Sequence, residues 1–289
     1  MKTLSSLLFS FCLLCSLLTA SAYSCAQSQL HAIKNTTDET SLRIITLAPH
    51  LAEIVALLGL ESSIVGVSEA TNYPHSMSNL PTIANHRGVN FSKILALKPT
   101  HVIAWIGGNQ TRDIQKLKEL GLSIHAVKID SLEDIATQIS TVGAFLAHSD
   151  IARTHIAAFN NDLALLRKEF TTFKSKRVFY YSGQRPMFTI GKDAWVTKLL
   201  SECQLESIYA HSAIAYPEAN ISYVLAQQPE IVISSQKASF FSFATYWRKH
   251  ESVLRPHLIQ VDPDQMHRFT PRVIGALRNL CQDAHAPDQ

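Results

Sequence analysis

"SKILALKPTHVIAW" occupies Ser92–Trp105, and "SYVLAQQPEIVISS" occupies Ser222–Ser235. Each stretch is an amphipathic run, a Pro, and then a short apolar run rich in Ile or Val. Proline disfavours helix for the residue before it. Each copy therefore reads as a helix, Ser92–Leu97 or Ser222–Gln227, ended near Pro99 or Pro229 and followed by a strand. A helix–strand unit stated twice predicts two equivalent α/β lobes on mostly parallel sheets. The copies differ in their endings. The first runs into Trp105-Ile106-Gly107-Gly108-Asn109, the second into Ser234-Ser235.

The same alternation extends outward from both copies. Strands are expected at Arg43–Leu47, Ile64–Val67, His101–Trp105 and Ile124–Val127. Helices are expected at Leu51–Leu58, Arg112–Leu120 and Leu132–Leu146, with Gly59 and Gly121 at helix ends. In the second half, Arg177–Ser182, Glu230–Ser234 and Leu258–Val261 read as strands and Ala194–Cys203 as a helix. Thr270 reads as an N-cap with Pro271 opening the last helix. That helix puts Val273, Ile274, Leu277, Leu280 and Cys281 on one face. Between the two series, Asp150–Phe173 carries apolar residues near helical spacing without Gly or Pro. It is expected to be one long, stiff helical spacer that permits only a modest opening motion. The expected organisation is a signal peptide over 1–22, a polar tether over 23–42, a lobe over 43–148, the linking helix over 149–174, a second lobe over 175–283 and a tail over 284–289.

The chain opens with a short basic start, an apolar run from Leu4 to Leu18 and the small-residue site Ala20-Ser21-Ala22. This pattern predicts an exported protein cleaved after Ala22. A lipid anchor at Cys25 is the alternative. No later run of eighteen apolar residues follows, so a soluble mature protein is expected. Of five Cys, Cys12 and Cys15 leave with the signal. Cys203 and Cys281 remain in an oxidising compartment and are expected to pair, two separate buried thiols being the alternative. Net charge is +3 and charged residues make up 17% of the chain. With no basic run beyond pairs such as Lys176-Arg177, nucleic acid is not an expected partner.

Ligands of open parallel sheets sit beyond the carboxyl ends of the strands. Four such exits are candidates: Ser68 to Pro74, Trp105 to Asn109, Ser182 to Phe188, and Asp262 to Phe269. They supply large aromatics, a Gly pair that lets backbone approach a ligand, and an Asp/Arg pair. That mix suits a bulky flat ligand with polar edges. Gly-x-Gly-x-x-Gly, phosphate-loop and Gly-x-Ser-x-Gly motifs are absent, so no enzyme class is indicated. The thirteen His lack His-Glu-x-x-His spacing and read as surface singletons. His86 and His267 alone fall in the candidate cleft. Trp105 is weighed against a plain core residue, and the adjacent Gly107-Gly108 favours the cleft.

The stretches "RIITLAP", "ILALKPTHVIAWIGGN", "KRVFYYSG…PMFTIGK" and "FTPRVIGALRNLC", spread from Arg43 to Cys281, carry a family resemblance. The sequence resembles the periplasmic metal-chelate and corrinoid binders that serve ABC importers, and within them the vitamin B12 (cobalamin) branch. "ALKPTHVIAW" is common to the wider family, whereas "AW-GGN" together with Cys203 and Cys281 narrows it. The resemblance implies two α/β lobes bridged by a long helix. It implies a corrinoid carried as transported ligand, with no cofactor and no catalysis, by a monomer that docks on a permease dimer. Trp105 matches a corrin-facing Trp, Phe188 a ligand-contacting Phe, and Tyr216 an aromatic position. The run Asp264-Gln265-Met266-His267-Arg268 matches the segment on the nucleotide side. Ala70 and His86 stand where aromatics are expected. Ser92 and Ser222 stand where the family docks on its transporter through one acid from each lobe; Glu218 is an alternative acid. A ferric siderophore or haem is the competing ligand class. A corrinoid-handling accessory protein with His86 on cobalt is the competing role.

Overall fold

The computed structural model describes residues 42–183 and 185–287. The expected signal peptide, the tether up to Ser41, Cys25 and Gln184 lie outside the described residues. The first sheet contains β1 (Ile44–Thr46), β2 (Ile64–Ser68), β3 (Thr82–Asn85), β4 (Gly88–Val89), β5 (His101–Ile106) and β6 (Ile124–Lys128), in the order β4-β3-β2-β1-β5-β6. All its pairings are parallel except β3 with β4. Its helices are α1 (Pro49–Leu57), α2 (Phe91–Ala96), α3 (Thr111–Glu119) and α4 (Glu133–Phe145). β1 is buried along its whole length. A parallel strand covered on both faces needs such a continuous apolar run.

α5 (Ser149–Phe170) follows, with Ala152, Phe159, Leu163, Leu166 and Phe170 buried along one stripe. It ends three residues short of the expected Phe173. A Cβ at Gly143 of α4 would stand 2.6 Å from the Ala152 Cβ, so the glycine permits the close crossing of α4 and α5.

The second sheet holds β7 (Lys176–Ser182), β8 (Phe188–Thr189), β9 (Leu205–Ser207), β10 (Ile231–Ser234) and β11 (His257–Gln260). Its path is β11-β10-β7-β8, with β9 also on β7. Only β8 runs antiparallel. The helices are α6 (Trp195–Glu202), α7 (Ile221–Gln227), α8 (Phe240–Arg248), the short α9 (Pro263–Met266) and α10 (Arg272–His285). The expected apolar face of α10 is buried, from Val273 to Cys281. Cys203, at the end of α6, is disulfide-bonded to Cys281. Arg278 of α10 also reaches Glu169 of α5 at 3.2 Å.

The repeat extends to individual hydrogen bonds. Asn90 and Asn220 cap α2 and α7, their side chains accepting from the Lys93 and Tyr223 amides at 2.9 and 3.2 Å. Both helices thus begin one residue before the expected Ser92 and Ser222, which sit exposed in the first turn. Lys98 and Gln228 both adopt left-handed backbone, with φ of 45° and 49°. Arg43 donates to the Leu97 carbonyl through Nε and Nη2, and Arg177 donates to those of Gln227 and Gln228. These guanidiniums satisfy carbonyls that a helix end leaves open. One expectation fails locally. Thr270 caps nothing, because its hydroxyl donates instead to Glu53 at 3.2 Å, and the last helix begins at Arg272.

Candidate ligand-binding site

The exit of β5 is shaped by its Gly pair. Gly107 has φ of 101°, in the left-handed region that suits glycine. A Cβ on Gly108 would lie 1.7 Å from the Trp105 ring, so the indole rests directly on that backbone. The Trp105 amide donates to Asn109 Oδ1 at 2.7 Å, and the Asn109 amide group donates to the Leu47 carbonyl at 2.8 Å. The turn is thereby tied to the end of β1. Trp105 is half-buried, with His50 edge-on at 5.2 Å and Phe269 at 5.2 Å. Phe269 also meets His50 and Trp195. Residues of both lobes therefore share one aromatic floor. His50 is held neutral within it: burial, then the Arg268 charge, push its pKa down to about 3. Among the described residues its Nε2 has no hydrogen-bond partner.

The segment from Asp262 to Arg272 crosses from the second lobe onto the first. Asp262 accepts from the Asp264 amide at 2.9 Å and from Gln265 Nε2 at 3.0 Å, which fixes the turn at α9. Arg268 is buried. Its Nη1 pairs with Glu53 of α1 at 2.6 Å, and its Nη2 donates to the Ala70 carbonyl at 2.9 Å and Asn72 Oδ1 at 2.7 Å. Arg272 Nη1 lies 3.0 Å from the same Glu53 carboxylate. The Asp264 carboxylate receives Asn72 Nδ2 at 2.9 Å and Lys237 Nζ at 2.6 Å, with Arg268 Nη2 at 3.3 Å. Burial opposes its ionisation, but Lys237, Asn72 and Arg268 together outweigh burial and leave its pKa below the usual carboxylate value. Removing one member of the buried Glu53–Arg268 pair strands the other charge and costs about 3–5 kcal/mol.

Three of the four expected exits therefore converge. Ala70 and Asn72 meet Asp264 and Arg268, while Trp105 meets Phe269. Two side chains are placed differently from the expectation. Arg268 is consumed as a strut between lobes, and Met266 is fully buried, with only its carbonyl engaged by Trp195 Nε1 at 3.0 Å. Gln265 is half-buried. His267 accepts or donates one hydrogen bond with the Tyr180 hydroxyl at 2.7 Å. Ala70, with φ of 64°, contributes backbone. His86 is exposed and lies 4.0 Å from Glu69.

Phe188 and Tyr216 form a separate group. Phe188 bridges to Glu218, and the Thr189 amide donates to the Pro217 carbonyl at 2.9 Å, so 187–191 and 215–219 run as one ladder. Both aromatic side chains are exposed on it. Among the described residues no group of three or more His, Cys, Asp or Glu is arranged to hold a metal ion. Glu53, His50, Asn72, Phe269 and Lys237 are site residues that the sequence reading did not single out. Asn72 and Phe269 lay in expected exits. Lys237 lay after β10, an exit not considered. Glu53 and His50 carried no signal, because both sit inside an ordinary helix pattern.

A model of the periplasmic binding protein family matches residues 44–249. Similar proteins include the vitamin B12-binding protein of Vibrio parahaemolyticus, 31% identical over 242 residues that cover 83% of this chain and 88% of the relative. The crystal structure of the periplasmic vitamin B12-binding protein BtuF of Vibrio cholerae superposes with a TM-score of 0.77 at 32% identity, covering 83% of this chain and 95% of that one. The periplasmic haem-binding protein HutB of Vibrio cholerae shares the fold, with a TM-score of 0.74 at 17% identity over 85% of this chain and 99% of that one. With its two parallel-sheet lobes, its long connecting helix and this match, the chain belongs to the periplasmic binding protein family, whose members bind their ligands rather than transform them.

Proposed function

We propose that this protein is a periplasmic carrier that captures one corrinoid between its lobes and delivers it to the permease dimer of an ABC importer. The observation that carries the reading is the identity of about a third, over most of both chains, with proteins named for vitamin B12 binding. The chemistry of the exits agrees with it. A corrin is a broad, flat ring edged by amides, and Trp105, Phe188 and Tyr216 offer aromatic surface to such a ring. The Gly107-Gly108 turn, Ala70 backbone, His86, Gln265 and His267 offer polar edges. Arg268 holds the crossing segment in place, so Asp264 and its neighbours face the ligand from a fixed position.

The working chain is exported, by this reading, through cleavage after Ala22 or lipidation at Cys25. It acts as a monomer, with lobes over 43–148 and 175–283 joined by the 149–174 spacer. Ser92 and Ser222 mark the two docking points and are uncharged, so docking rests on shape or on acids such as Glu218. Titration calorimetry of the mature protein against cyanocobalamin, cobinamide, haemin and a ferric siderophore tests the assignment. One cyanocobalamin per chain is expected. Binding of haemin or the siderophore with no heat from either corrinoid would overturn it.

A further inference from the structure

The second copy of the repeat ends in a cation that no expectation assigned. Counting along the two copies, Lys237 occupies the place of Gly107, just past the strand end. Its loop is braced: Gln260 Nε2 donates to the carbonyls of Gln236 and Ala238 at 3.0 and 2.6 Å, on either side of Lys237. Gln236 Nε2 in turn donates to the Gly183 carbonyl at 2.5 Å. The Lys237 ammonium is therefore carried on fixed backbone and points to Asp264, which is its ion-pair partner among the described residues.

Three donors from both lobes thus surround one carboxylate: Asn72 Nδ2, Lys237 Nζ and Arg268 Nη2. Lys237, Arg268 and Arg272 form their ion pairs with Glu53 and Asp264. Arg268 and Arg272 share the buried Glu53, which leaves Lys237 with Asp264 at the rim. The Lys237 side chain is 63% exposed, and an exposed pair of this kind is weak enough to exchange partners.

We infer that Asn72 and Lys237 form an anion subsite, filled in this structure by the Asp264 carboxylate and backed by Arg268, that takes the anionic group of the ligand. The inference rests on the carrier reading above for the identity of the ligand. A complete corrinoid carries one fixed anion, the phosphodiester that joins its lower base to the ring; cobinamide lacks it. A haem carries carboxylates. The subsite would make the protein prefer a corrinoid with its nucleotide loop over one without. In exchange, Asn72 and Lys237 leave Asp264 for the ligand, while Arg268 stays on Glu53.

The test is calorimetric titration of wild type, Lys237→Met and Lys237→Arg with cyanocobalamin, cobinamide and haemin, with thermal melting as the check on folding. Lys237→Met should reduce the ratio of cyanocobalamin to cobinamide affinity about fivefold, the size of one partly exposed charged contact. Lys237→Arg should restore the ratio, and added salt should shrink the wild-type preference. An unchanged ratio in Lys237→Met, with both corrinoids bound by wild type, overturns the subsite and leaves the carrier reading standing. If wild type binds neither corrinoid but binds haemin, and Lys237→Met weakens haemin, the subsite stands with a carboxylate as its anion and the corrinoid reading falls.

Discussion

The two repeated units share a frame and differ at the exit. In both, an Asn caps the helix, an Arg at the start of the lobe's first strand (just before β1, or within β7) closes the helix end, and a left-handed residue precedes the Pro. The strands that follow are buried between parallel neighbours. Beyond them the first copy turns through Gly107-Gly108 and lays Trp105 on an aromatic floor with His50 and Phe269. The second turns through Ser234-Ser235, whose groups bond back to the Tyr181 carbonyl and to Gln236, and puts forward Lys237. The difference teaches that a lobe's frame and its chemistry are separable. Backbone bonding keeps the repeat, and the few residues after the strand set what each half offers a ligand.

The largest difference expected between the halves is in stability. Only the second lobe carries a disulfide among the described residues, closing a loop of 78 residues. Cys203→Ser with Cys281→Ser should cost about 4 kcal/mol in urea unfolding. Loss of the α10 amide protection should come before that of the first sheet in hydrogen exchange. A uniform loss would mean that the bond supports both lobes alike.

Acid should next strike the first exit. His50 stays unprotonated in the folded protein down to about pH 3, whereas an unfolded His titrates near 6.5. The unfolded state therefore binds one more proton below pH 6.5, and stability falls as pH drops from there towards 3, by about 1.4 kcal/mol per unit. His50→Leu should flatten this slope in melts taken between pH 6.5 and 4.5; an identical slope would remove His50 as its cause.

Breaking the shared frame should give smaller and nearly matched effects. Arg43→Ala removes a half-buried guanidinium and should cost about 2 kcal/mol, and Arg177→Ala, more exposed, about 1 kcal/mol. Asn90→Ala and Asn220→Ala should each cost about 1 kcal/mol. Urea denaturation gives all four values. If the Asn pair differed several-fold, the two units would be alike in sequence but not in energetics.

Much of this frame was legible. Continuous apolar strands of Ile and Val, each preceded by a Pro, can fit only a sheet covered on both faces, and the spacing of Ile151, Phe159, Leu163, Leu166, Phe170 and Phe173 could mark only a helix, although Ile151 and Phe173 prove exposed and Ala152 takes the buried place at its start. Short elements escaped: β4 and β8 span two residues each, too few for any period to show. α8 escaped because "FFSFATYWR" is aromatic on most sides and presents no clean polar face. Within the site, local sequence could point to Trp105 and its Gly pair. It could not show that Arg268 and Thr270 would spend their polar groups on Glu53, more than 200 positions away. Thr270 next to Pro271 satisfies the local rule for a cap, and a long-range carboxylate overrode it. Lys237 was missed for a related reason: it becomes a site residue only because Asp264 is brought to it.

The central claim is that the ligand is a corrinoid seated against the first exit. Calorimetric titration of wild type and Trp105→Ala with cyanocobalamin tests it most directly. The account predicts one site per chain in wild type and a dissociation constant at least about tenfold higher in Trp105→Ala, as for loss of a central aromatic anchor. Equal affinity in the two proteins, or no heat from folded wild type at high micromolar cyanocobalamin, would contradict it.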